Sequence, residues 1–173
     1  MYGKPKLPEP WLRGTLTEVD PVQRAVLHAL ELAKEDLEES CRDLSDEELN
    51  ARPGNVPPVA FHVRHIARST DRLLTYAENH SLNAQQITAM KQELEPGGTR
   101  RALFAELNTA LEHAGERIRA FLPSAFSECR CVGRQQIPTT VAGLLVHVAD
   151  HTQRHVGQAV TTAKFIKNSR AGK

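Results

Sequence analysis

The chain has little of several things. Aromatics make up 5% of its 173 residues, with a single Trp, too few for a surface that stacks nucleic-acid bases. Net charge is +1, so no broad field draws the chain to nucleic acid or to a membrane surface. There are three cysteines, Cys41, Cys129 and Cys131. An odd count of that size predicts free thiols rather than a disulfide framework, with Cys129-x-Cys131 a weak metal signal. No apolar run approaches the length of a membrane span, no glycine-rich phosphate loop is present, and nothing repeats. The opening MYGKPKLPEPWLRG lacks the hydrophobic stretch of a signal peptide, which predicts a cytoplasmic protein.

What remains is 40% hydrophobic and 25% charged, the balance of a soluble globular domain. Residues 1–18 hold three prolines and little periodicity, predicting an extended N-terminal arm pinned by Trp11 and Leu12. Residues 19–173 predict one domain. Asp20 followed by Pro21 is a helix start, and Val22, Ala25, Val26, Ala29, Leu30, Ala33 and Leu37 keep helical period to about Arg42. His28 falls on the solvated side of that helix. Ser45-x-x-Glu48 matches a capping box.

A second helix is predicted from Pro58 to about Asn79, with Val59, Val63, Ile66, Thr70, Leu73, Leu74 and Ala77 inward and Arg64, Arg68, Asp71 and Arg72 outside or near the rim. A polar connection follows, with a short helix around Gln85 to Leu94. A third long helix runs from Thr99 to Leu122, stopped by Pro123. Extended structure is expected around Cys129 to Ile137, and a last helix begins after Thr139 or Thr140 and runs to Lys167. Four amphipathic helices predict an all-α, up-and-down-type four-helix bundle.

The last helix carries the chemistry. At about 100° per residue, Val141, Leu144, Leu145, Val148, Thr152, Val156, Ala159, Ala163 and Ile166 share one face. His151 and His155 lie inside that apolar arc, one turn apart, with His147 at its edge. Buried imidazoles need partners. Hydrogen bonds between core histidines would serve, but the i, i+4 spacing also lets two rings reach one metal ion. Two ligands do not hold a zinc-like ion, so a third is expected from the second helix. His62 sits near the middle of that helix's apolar face, and His65 sits at its edge.

Two stretches, RPGNVPPVAFHVRHIARSTDRLL (Arg52 to Leu74) and VAGLLVHVADHTQRHVGQ (Val141 to Gln158), resemble the DinB/YfiT-like family of metalloenzymes. The first has a Pro-rich entry followed by His-apolar-Ala; the second closes on His-x-Gly-Gln. The resemblance implies a four-helix bundle with a metal held by His65, His151 and His155, since His65-Ile66-Ala67 fits the motif in register. His62 is the alternative on the second helix. Family members transfer low-molecular-weight thiols to electrophiles, isomerise maleylpyruvate with a thiol cofactor, or are described as hydrolases. The implied cofactors are therefore a divalent ion, zinc or nickel first, and a low-molecular-weight thiol.

The expected partner is a small-molecule substrate, with no nucleic acid and no membrane. A homodimer is a further expectation, with Gly157 on the outer side of the last helix permitting close approach. Ser69, Tyr76 and Gln158 are candidate pocket residues. The competing reading is a non-catalytic metal-binding or stress-response interaction bundle.

Overall fold

The computed structural model describes residues 7–171, with side chains as far as Arg170. Over that span the chain forms α1 (Pro21–Cys41), α2 (Asp46–Leu49), α3 (Val59–Ala77), α4 (Ala84–Lys91), α5 (Arg100–Ala120), β1 (Cys129–Val132), β2 (Ile137–Thr140) and α6 (Val141–Ala171).

Side chains written into the sequence start most of these helices. The Asp20 carboxylate accepts from the Val22 amide at 2.9 Å, with Pro21 in the first turn, which satisfies an amide that has no intrahelical partner. Ser45 and Glu48 close a capping box on α2. Asn83 and Gln86 do the same for α4, so that helix begins and ends a little earlier than its polarity pattern predicts. Thr99 caps α5. The antiparallel β1–β2 hairpin runs straight into α6 and caps it with backbone: the amides of Val141 and Ala142 donate to Glu128 and Phe126 carbonyls at 3.1 and 3.0 Å. At the other end of α5, the Gln23 side chain of α1 donates to the carbonyls of Ile118 and Phe121.

Four long helices enclose the core. All nine residues of the predicted α6 stripe are buried, with Val141, Leu145, Val148 and Ala159 at 0% exposure. This stripe packs on α3 and on α1, while α5 closes the far side against α3 and, more lightly, against α1. The neighbour order is therefore α1–α6–α3–α5. Sequential order, as in an up-and-down arrangement, is not what the packing shows: α1 and α3 are not substantial neighbours, nor are α5 and α6. Both connections that skip a neighbour are long and carry their own structure, α2 in one and the hairpin in the other. Such crossovers let consecutive helices sit across the core from each other.

Three expectations are corrected. Residues 1–6 of the arm lie outside the described residues; in the rest, Pro10 is buried while Trp11 and Leu12 are 62% and 57% exposed. The anchor is Arg13, whose guanidinium donates to Glu31 and Glu35 of α1 at 2.7–2.8 Å. His28 is buried, not solvated, because the arm lies over it and Thr15 hydrogen-bonds its ring at 3.1 Å. Arg64 and Arg72 are buried as well.

The three thiols are free. Cys41 is in the core, where burial pushes its thiol up to about 11, and Cys129 and Cys131 are exposed on β1. No helix among the described residues is long and apolar enough to cross a membrane.

Leu145→Ala should cost about 2–5 kcal/mol, the usual penalty for a cavity at a fully buried leucine. Trp11→Ala should cost no more than about 0.5 kcal/mol. Urea unfolding of both variants checks this, and a larger loss at Trp11 would restore it as the anchor of the arm.

Candidate metal centre

Packing of α3 on α6 brings four imidazoles together across one seam. On α3, His62 and His65 are three residues apart and share a side of the helix; on α6, His151 and His155 are one turn apart. His65 Nε2 and His151 Nε2 approach to 2.8 Å. Ring centroids are 4.3 Å apart for His65 and His155, and 4.7 Å for His151 and His155. One ring nitrogen from each of His65, His151 and His155 lies within 4.8 Å of the others, the only such cluster of His, Cys, Asp or Glu among the described residues. A three-histidine group of this size could bind a metal ion.

Each imidazole differs in what stands behind it. His65 Nδ1 faces Glu93 Oε2 at 2.6 Å, and Arg72 donates to Glu93 Oε1 at 2.6 Å. His155 Nδ1 faces His62 Nδ1 at 3.0 Å, one nitrogen donating and the other accepting. His62 is thus 2% exposed and a partner of His155, outside the group of three. His151 Nδ1 is buried with no partner. Phe61 stacks on His65 with centroids 5.3 Å apart and meets His62 edge-on at 5.1 Å. His147, half-exposed one turn earlier on α6, pairs with Asp150 at 2.8 Å.

Glu93 comes from the connection after α4, and α3 holds it there. Arg64, Arg68 and Arg72 recur every four residues, so they form a row along one face of α3. Arg68 donates to the Ala89 carbonyl at 2.9 Å, Arg64 to the Glu95 carbonyl at 2.7 Å, and Arg72 to the Glu93 side chain. The row clamps the connection onto the helix and inserts the carboxylate beside His65. Glu93, Arg72 and Phe61 are the site residues that the sequence reading missed. The one advance signal was three arginines at helical spacing on a helix that faces a polar connection.

The other expected pocket residues are scattered. Ser69 is buried a turn from His65, with its hydroxyl turned to the Ile66 carbonyl at 3.4 Å. Tyr76 stands about 16 Å beyond His65 along α3 at the normal helical rise. Gln158 lies on the exposed side of α6 and shares a groove with His62.

Electrostatics keep the cluster ready for a cation. Burial, then the neighbouring His65, pushes His151 down to about 4 and His155 down to about 3. His62 falls to about 4 for the same two reasons. These three rings are neutral near pH 7, with lone pairs free to donate. Burial works to raise Glu93, but the hydrogen bonds from His65 and Arg72 outweigh it and hold the carboxyl below its usual range.

The DinB superfamily profile matches residues 29–159, most of the chain, and the protein belongs to that superfamily. Its fold resembles the crystal structure of a conserved protein from Enterococcus faecalis, with a TM-score of 0.70 over 85% of this chain and 98% of that one. At 18% identity that likeness speaks for the fold alone. No curated protein matches the chain.

The lowered imidazoles set a pH dependence for the metal-free protein. An unfolded chain protonates histidine near the ordinary 6.5, whereas the folded chain resists down to about 4 at His62 and His151 and about 3 at His155. The unfolded state then holds more protons below 6.5, so stability falls as pH drops from there and is unaffected by these groups above about pH 7. Melting temperature of the metal-stripped protein should decline between about pH 7 and about pH 5; an unchanged value would refute the burial of neutral rings.

Proposed function

We propose that this DinB-superfamily protein is a metal-dependent enzyme that activates a thiol or water on a small-molecule substrate. His65, His151 and His155 are the proposed ligands. The observation that carries this is the convergence of three imidazole nitrogens within 4.8 Å, contributed by two packed helices. Imidazole donors suit zinc or nickel, and three protein ligands leave a coordination position for a reactant. The carboxylate behind His65 and the His62 ring behind His155 fit this reading, since ligating histidines are normally oriented by outer partners.

A divalent cation in this position supplies Lewis acidity, which lowers the pKa of a thiol or water that reaches it. The rest is done by the chain. Glu93 accepts the Nδ1 proton of His65 and so leaves Nε2 as the donor. Arg72 keeps Glu93 ionised in a buried place. His62 fixes the ring plane of His155, and Phe61 covers the His65 ring against water. A low-molecular-weight thiol is the proposed co-substrate, giving a thiol S-transferase, with hydrolysis the second reaction of the same centre. We also read the four long helices as a four-helix bundle with crossed connections.

Protein purified without an affinity tag or chelator should retain about one equivalent of zinc or nickel. His65→Ala, His151→Ala and His155→Ala should each abolish stoichiometric metal, while His147→Ala retains it. Equal loss in all four would refute the ligand assignment. Glu93→Gln should weaken metal affinity about 10–100-fold, read by competition with a chromogenic chelator.

Thiol conjugation to a panel of electrophiles, together with ester hydrolysis, tests the reaction. Metal-loaded protein should turn over and metal-stripped protein should not. Full metal occupancy without turnover would leave a non-catalytic metal-binding protein.

A further inference from the structure

A groove of about 900 Å³ opens beside the imidazole cluster, between the Pro53–Pro57 turn and the outer side of α6. That volume is in the range of small-molecule sites. His62 lines it, and His62 hydrogen-bonds His155, so the groove and the imidazole cluster share that one residue. From Arg154 to Ser169 it follows about 22 Å of helix at the usual rise.

Pro53, Val56, Pro57 and Phe165 give it an apolar wall, beside the polar Gln158, Thr161, Thr162 and Ser169. Val56 and Phe165, 43% and 63% exposed, stand along it. Arg154 is the one fully charged side chain on its lining. That guanidinium is 3.6 Å from Asp150, and both side chains are more than half exposed. A pair that open and that long contributes little and is readily exchanged for another anion. Gly157 lies on the groove between Arg154 and Phe165, and a Cβ placed there would meet nothing within 4 Å. The glycine leaves open space that the protein's own packing does not need.

We propose that this groove is the substrate subsite of the metal centre, and that it takes an elongated apolar molecule bearing a single anionic group. The anion pairs with Arg154 at the end near His62, and the apolar body lies over Gly157 towards Val56 and Phe165. The assignment builds on the metal-centre reading above and adds the class of substrate to it.

Sodium decanoate is the probe, titrated calorimetrically into the full chain with and without zinc, with acetate and 1-decanol as controls. Decanoate should bind saturably, acetate should not, and decanol should bind about 3–10-fold weaker. Gly157→Leu fills the open space and improves helix propensity, so it should fold, keep its metal and lose decanoate affinity by about tenfold or more. Phe165→Ala and Arg154→Gln, both at exposed positions, should weaken it by about 3–10-fold.

No saturable decanoate binding by metal-loaded protein would overturn the proposal, as would an unchanged affinity in Gly157→Leu. So would a concentration-dependent dimer that Gly157→Leu converts to monomer with no decanoate bound, since the groove would then be an interface between copies. Metal content, read separately by elemental analysis, distinguishes the two readings: decanoate binding by a chain that takes up no metal would overturn the centre alone.

Discussion

A carboxylate held in the interior of this protein must be matched by positive charge and hydrogen-bond donors, or it will not stay ionised there. Glu93 meets that demand twice, with Arg72 on one oxygen and His65 on the other. The requirement runs in both directions. Without Glu93, Arg72 would be a buried cation with no counter-ion and His65 would lose the partner that sets its tautomer. The centre therefore depends on a hydrogen-bonded triad, Arg72, Glu93 and His65, that spans α3 and the connection following α4.

The second constraint is the α3–α6 seam itself. Its apolar residues bury completely, and polar rings are admitted only where another polar group faces them. His155 finds His62, His65 finds Glu93, and His151 is left with one buried nitrogen unpaired. Buried polar atoms in native proteins nearly always have partners. A site that leaves one orphan among four converging rings is the kind of place where local stability has been given up for binding.

Helix boundaries were legible because their caps are spelled out in single residues: Asp20 before Pro21, Ser45 before Glu48, Thr99 before α5. The α6 stripe was legible too, since nine residues at one helical phase must face a core. From that phase came the placement of His151 and His155. Periodicity could not say how the helices are ordered around the core, because a long connection reaches a diagonal position as easily as an adjacent one. Nor could it show that the arm would cover His28. Glu93 was hidden for a different reason. It stands in a polar segment with no period, and its carboxylate acquires a role only when Arg64, Arg68 and Arg72 draw that segment onto α3. On α3 the apolar phase made His62 the more central ring, and the family motif favoured His65. The geometry gives each a distinct place, His65 in the group of three and His62 behind His155.

The arginine row grips main-chain oxygens at Ala89 and Glu95, atoms that every amino acid possesses. Over evolutionary time, most side chains of that loop are therefore free to drift while the clamp persists. Apart from Gly97 and Gly98, which hold positive φ, the carboxylate at its middle is what is tied to identity. Related chains would keep their helical landmarks aligned while this segment diverged around one invariant acid, and that acid would be hard to find by comparing letters.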